Sequence, residues 1–247
     1  MQMKLALIET KVLLLLFFLV VPLAAQVSES QSQPALSDAD ETHAGDIFAA
    51  KYEKARGLET TPQSRRIDEY LQKVGDKVAV NAQRHLDYQF HFDADPNFKS
   101  AVALPGGQIF VGAGILAYMG TEDQLAAVLG HEIEHVALNH CRDRLLEAMS
   151  KQHLPASDVS KIKLEVFFES YGHDKELAAD REGAKLAMKA GYSRQGMIRL
   201  LETFVLLGQQ EPNGGIEART SLEERIAQIK SIPDIKPVTA ETPLALP

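Results

Sequence analysis

A chain of 247 residues with 45% hydrophobic and 24% charged residues is long enough for one domain with a substantial core and short for two. Its formal charge of -8, with no basic run, excludes nucleic-acid binding as its main business. The single cysteine, Cys141, excludes an internal disulfide, so stability has to come from the core.

Residues 12–25 (VLLLLFFLVVPLAA) form an unbroken apolar run that follows Lys4 and Lys11, ends in small residues and gives way to a polar stretch. The run is short for a bilayer span. It predicts a cleavable export signal over residues 1–25, with an uncleaved N-terminal anchor as the alternative. Cleavage removes Lys4, Lys11 and Glu9, a net of +1, and takes the charge from -8 to about -9. The mature chain is then expected in the periplasm or outside the cell, without a membrane span. Residues 26–57 read as a flexible lead-in, rich in Ser, Gln, Asp and Ala up to about Thr42.

The folded domain is expected over residues 58–232. Ile67, Tyr70, Leu71, Val74 and Val78 recur at helical spacing and predict a helix over 64–82. Tyr88, Phe90 and Phe92 alternate with polar residues as in a half-buried strand, and Asp95-Pro96-Asn97 reads as a turn. Two more strand signals, residues 100–104 and 108–111, flank Pro105-Gly106-Gly107. From Thr121, which with Gln124 resembles a capping box, apolar residues continue at helical spacing through Leu125, Leu129, Ile133 and Val136 to Leu145 and Leu146. Further helices are expected over 158–170, 174–190 closed by Gly191, 194–207, and 221–231 opened by Ser221 with Glu224. Residues 233–247 read as a disordered tail. The fold class is α+β, mainly helical, with a small sheet ahead of a long central helix.

That central helix carries His131-Glu132-Ile133-Glu134-His135, an HExxH pattern. Residues four apart lie one turn above each other, so both imidazoles can face one ion, and Glu132 beside them can take a proton from a metal-bound water. Two histidine ligands need a third from elsewhere to make a catalytic zinc site with one open position. Glu176 and Asp180, again four apart, share a helix face: one carboxylate can ligate while the other accepts the N–H of a ligand histidine. Two histidines and a glutamate are a known catalytic zinc set, which makes Glu176 the third-ligand candidate and leaves Asp180 behind it. His173 is near enough to approach the metal or to lie on the surface. His140, taken as continuing the same helix, lies about 140° around from His135, which favours structural work over ligation. Cys141 reads as a helix residue without chemistry.

Residues 70–75 (YLQKVG), 103–111 (ALPGGQIFV), 127–140 (AVLGHEIEHVALNH) and 176–180 (ELAAD), with Arg181, Gly183 and residues 190–192 (AGY), resemble one family of zinc metallopeptidases. It includes HtpX-like membrane proteases, Ste-type CAAX-prenyl endopeptidases and soluble periplasmic proteases of the β-barrel-assembly-enhancing type. The resemblance covers roughly residues 60–231. It implies a zincin-like fold with one Zn2+ per chain, a sheet edge before Pro105 to which substrate backbone adds, and Arg225 near the developing negative charge on the scissile carbonyl oxygen. An ordinary helix salt bridge is the other reading of Arg225.

Three positions depart from the family pattern: Ser100-Ala101-Val102 at the substrate edge, Gly172-His173-Asp174 ahead of the third ligand, and Arg219-Thr220 where relatives carry His-Pro. The last removes a histidine that in relatives lies near the zinc and can close off the site. The expected function is zinc-dependent endoproteolysis of exported or misfolded proteins, with protein or peptide substrates and the outer-membrane assembly machinery as the partner that the resemblance implies. The alternative is a periplasmic chaperone or assembly factor with a mostly latent zinc site.

Overall fold

A computed structural model of the chain describes residues 36–208, 216–235 and 241–247. The expected export signal and the first part of the lead-in lie outside the described residues. Among the described residues eight α-helices and three strands follow in chain order: α1 (Asp38–Arg56), α2 (Pro62–Ala79), β1 (Gln89–Asp93), β2 (Ala101–Ala103), β3 (Gln108–Gly112), α3 (Ala113–Leu116), α4 (Glu122–Ala137), α5 (His140–Lys151), α6 (His173–Lys189), α7 (Gln195–Gly208) and α8 (Ile216–Ser231). The fold is α+β and mainly helical, and no helix among the described residues is long and apolar enough to cross a membrane.

The sheet has the order β1-β3-β2, with β1 parallel and β2 antiparallel to β3. All five residues of β3 are buried, as a central strand with both faces covered requires. Strand β2 is an edge, joined to β3 by the tight turn Pro105–Gly107. Helix α2 lays the predicted stripe of Ile67, Leu71, Val74 and Val78 into the core. Helix α4 is buried along almost its whole length. Its Thr121 hydroxyl accepts the Gln124 N–H, while the Gln124 side chain turns to the Gly120 N–H at 2.8 Å, so only half of the expected capping box forms.

Helices α4 and α6 meet backbone to backbone. A methyl group on Gly130 would lie 2.6 Å from the Gly183 carbonyl oxygen, and one on Gly183 would lie 2.6 Å from the His131 nitrogen. Only glycine on both sides allows this approach.

The structure corrects the expected elements at four places. Residues 38–56, expected as part of a flexible lead-in, form a helix with a capping box at Ser37 whose Ala44, Phe48 and Tyr52 are buried. The long central helix breaks after α4, where Asn139 takes a left-handed conformation at φ 62° and the chain restarts as α5. Residues 158–170 do not form an α-helix; two short 3-10 turns, Ala156–Lys161 and Leu164–Phe167, bury Val159, Ile162 and Phe167 instead. Residues 241–247, within the expected disordered tail, lie extended against the start of α4: the Glu122 N–H donates to the Thr242 carbonyl at 2.8 Å and the Leu244 N–H to the Gly120 carbonyl at 3.0 Å. Leu244 packs against the main core, an apolar contact that the tail's Pro-rich composition conceals.

Replacement Gly183→Ala is expected to lower the unfolding free energy by about 1–3 kcal/mol, the usual cost of forcing a methyl group into a packed contact. Urea unfolding of the variant against the wild type measures it, and an unchanged midpoint would contradict the close helix contact.

Candidate metal centre

His131 and His135, one turn apart on α4, turn their Nε2 atoms to within 2.9 Å of each other. Glu176 on α6 brings its Oε2 to 3.5 Å from His131 Nε2 and 3.8 Å from His135 Nε2. Zinc bonds of about 2.0–2.1 Å in tetrahedral geometry separate neighbouring donors by about 3.3 Å. The three observed separations bracket that value. Two imidazole nitrogens and one carboxylate oxygen are also the donor set of catalytic rather than structural zinc, so the residues present fit the metal. Among the described residues these three form the one group of acids, histidines or cysteines clustered tightly enough to hold an ion.

Each ligand is braced from behind. Asp180 lies 2.8 Å from His131 Nδ1 through its Oδ1, and is itself held by Arg225, whose Nη2 donates to Oδ1 at 2.8 Å and whose Nε donates to Oδ2. His135 Nδ1 lies 3.0 Å from His140 Nδ1. Tyr171 stacks its ring on His135 with centroids 4.4 Å apart, and its backbone N–H donates to Glu176 Oε1 at 3.2 Å. With their Nδ1 atoms engaged in this way, both histidines would be left with Nε2 free to face a metal.

The electrostatics follow from this packing. Burial opposes charge on His131, but Asp180 and Glu176 outweigh it and push the imidazole up to about 10. Burial and the neighbouring His131 hold His135 well below the ordinary histidine value. Asp180 stays down at about 2 in spite of burial, because Arg225 and His131 both favour its charge. A cation between these three side chains would have to displace the His131 proton, so its binding would strengthen as pH rises.

Glu132 is 8% exposed, and burial pushes its carboxyl up to about 7 against the pull of His131. The backbone of Ala103 in β2 favours its charge, and Glu132 and Ala103 line the same cavity. Two cavities of about 630 and 320 Å3 meet at His131, Glu132, Glu176 and Arg225.

All six residues singled out by the sequence, His131, Glu132, His135, Glu176, Asp180 and Arg225, thus converge. His173 lines the larger cavity but is not among the clustered donors: it is exposed and lies 3.2 Å from Glu224 of α8. His140 reaches His135 because the helix breaks at Asn139, not by the angle a continuous helix would give. Cys141 is buried, its thiol pushed up to about 12, with Sγ 3.3 Å from the Tyr171 hydroxyl. Tyr171 was not found from the sequence, since a lone aromatic in a loop carries no spacing signal. The side chains of Arg219 and Thr220 lie outside the described residues.

The family model described as Peptidase family M48 matches residues 65–233. Metalloprotease YcaL of Escherichia coli is 26% identical over 210 residues, 79% of this chain and 80% of that protein. Mitochondrial metalloendopeptidase OMA1 of Schizosaccharomyces pombe is 40% identical over 68 residues, 28% of this chain and 20% of that protein. The Beta-barrel assembly-enhancing protease of Yersinia pestis is 30% identical over 118 residues, 47% of this chain and 23% of that protein. The chain thus spans most of the first relative and under a quarter of the other two.

Two outcomes are expected from this geometry. Asp180→Asn removes the charge that orients His131, and should weaken zinc binding about 10- to 100-fold in competition with a chelating dye. Glu134, 4% exposed, has its carboxyl pushed by burial from the ordinary 4.5 up to about 7. The folded form therefore holds this proton more tightly than the unfolded form, and stability present at pH 4 is lost as pH rises through 7. Glu134→Gln should then be more stable than wild type by about 1–2 kcal/mol at pH 8 and equal to it at pH 4, measured by urea unfolding at each pH.

Proposed function

This chain belongs to peptidase family M48, whose domain is that of a metalloendopeptidase hydrolase with a zincin-like fold, and on that premise we propose that it is a zinc endopeptidase acting on exported or misfolded proteins. The observation that carries this reading is the convergence of one donor atom each from His131, His135 and Glu176 beside the cavity that the buried Glu132 also lines. A carboxylate in that position can take up and return a proton.

Zinc held by His131, His135 and Glu176 would supply a Lewis acid that polarises the scissile carbonyl and brings the pKa of a water toward neutrality. Glu132 takes the proton of the attacking water onto its carboxylate and hands it to the leaving amine nitrogen. No side chain becomes covalently attached to the substrate. Asp180 keeps the His131 ring in register, and Arg225, fixed on Asp180 with its Nη2 4.0 Å from Glu176 Oε2, lends positive charge to the carbonyl oxygen as it becomes negative. The substrate lies extended and pairs with β2, the sheet edge that lines the cavity beside Glu132.

The apolar run at residues 12–25 supports export, and the Yersinia pestis relative named for β-barrel assembly supports a periplasmic setting beside the outer-membrane assembly machinery.

The test measures zinc content and casein cleavage for wild type and Glu132→Gln, with a chelator control. The expected result is one zinc per chain in both proteins, and cleavage reduced by about 10^2- to 10^4-fold in the variant. Zinc without cleavage in either protein would favour the assembly-factor alternative. Absence of zinc would overturn the ligand set.

A further inference from the structure

We infer that Arg144 is a positioning residue for the metal centre: by pressing Tyr171 onto His135 and gripping the loop that leads to Glu176, it sets two of the three donors without touching either. The inference rests on the ligand set proposed above and adds to it a residue that governs how tightly, and in what geometry, that set holds an ion.

Arg144 lies on α5, four residues after His140 and on the same face of that helix. The chain restarts as α5 after Asn139, and this face then meets the centre, His140 at His135 Nδ1 and Arg144 at Tyr171. Arg144 Cζ lies over the Tyr171 ring, 3.6 Å from its centroid, while the Tyr171 and His135 rings stack with centroids 4.4 Å apart and planes 25° apart. Two flat groups that close to one ring need its opposite faces, so the tyrosine is clasped between guanidinium and imidazole. Arginine suits this place because its planar cation lies flat on an aromatic face.

The same guanidinium grips the neighbouring backbone. It donates from Nη1 to the Glu169 carbonyl and from Nη2 to the Ser170 carbonyl, the latter at 2.7 Å. Two consecutive peptide groups are thereby fixed just ahead of the Tyr171 N–H, which donates to Glu176 Oε1 at 3.2 Å. Residues 168–172 belong to no helix or strand, so no ladder of their own holds them. One side chain of α5 thus restrains both the ring that backs His135 and the N–H that orients Glu176.

The tyrosine hydroxyl has a lesser part. It donates to Cys141 Sγ at 3.3 Å, and the Cys141 thiol donates to the Ala103 carbonyl of β2 at 3.5 Å. Sulfur is a weak partner in both contacts, so the stack and the two carbonyl contacts carry the positioning. Arg144 lines neither of the two cavities at the centre, and its effect therefore falls on the donors and not on substrate binding.

The test compares the full chain with four variants, Arg144→Ala, Arg144→Lys, Tyr171→Leu and Tyr171→Phe, after the thermal midpoint of each metal-free protein has been recorded. Competition with a chelating dye should show zinc bound about tenfold more weakly by Arg144→Ala and Tyr171→Leu, the range seen when a partner that orients a ligand is lost. Tyr171→Phe keeps the stack and should stay within about threefold of wild type. Arg144→Lys keeps the charge but neither the plane nor the fork, and should fall with Arg144→Ala. Loaded with cobalt, Arg144→Ala and Tyr171→Leu should shift the visible absorption bands that report donor geometry, whereas Tyr171→Phe should not. At saturating zinc, casein cleavage by the Arg144 variants should lose kcat at unchanged KM.

Wild-type zinc affinity and cobalt spectrum in both Arg144→Ala and Tyr171→Leu overturn the inference and leave the ligand set and the endopeptidase standing. So does an Arg144→Lys variant equal to wild type, which would make charge alone the cause, or a loss of affinity that follows the thermal midpoint through the series, which would make it one of folding. A wild-type chain that binds no zinc overturns the ligand set, and this inference with it.

Discussion

The contact between Gly130 and Gly183 sets the distance on which the rest of the site depends. Glu176, Asp180 and Gly183 are spaced at four and three residues, so they run along one stripe of α6. Gly130 directly precedes His131 on α4. When the two glycines let the backbones touch, the same stripe that makes the contact carries Asp180 to His131 Nδ1 and Glu176 to the pair of Nε2 atoms. A side chain at either glycine would move one helix away from the other, and every donor separation at the centre would change with it. The proposed ligand set is therefore specified as much by two residues without side chains as by the three that could hold an ion.

Asp180 raises a second physical demand. It is fully buried, and a buried carboxylate without partners would be neutralised rather than tolerated. Arg225 answers with two hydrogen bonds and His131 with a third. That arrangement makes α8 part of the centre although it supplies no ligand. It also means that the three charges cannot be removed singly without stranding the others, since breaking one member of a buried ionic group leaves an uncompensated charge.

Most of this chemistry was legible from spacing. HExxH and the Glu176–Asp180 pair lie on uninterrupted helices, where a period of 3.6 fixes which side chains coincide, and the structure brings them together as that period requires. What was not legible depended on contacts across the fold. Helix α1 is hidden in the sequence because its buried face includes Glu41 and Gly45 beside Ala44, Phe48 and Tyr52, so the apolar period is broken by residues that usually face water. The break at Asn139 needs a left-handed residue that asparagine accepts but does not demand. Residues 158–170 carry helix-like spacing, yet Pro155 and the burial of Ile162 and Phe167 against α1 and its neighbours are satisfied by two tight turns. In each case local preference was weak and packing decided.

Helix α1 shows how far that packing reaches, because it lies ahead of the residues 65–233 matched by the family model and still braces the candidate site. Its Glu41, with no exposed surface, accepts the Gly106 N–H at 3.2 Å in the turn between β2 and β3. The same carboxylate accepts Arg84 at 2.8 Å and Arg142 of α5 at 2.6 Å. Arg84 in turn donates to the Val136 carbonyl at 2.9 Å, one residue beyond His135. A three-residue edge strand has too few ladder bonds to fix its own position. One buried carboxylate ties its turn to the end of the ligand helix, and so the edge on which the substrate is proposed to lie and the histidines that would hold the metal share a single frame.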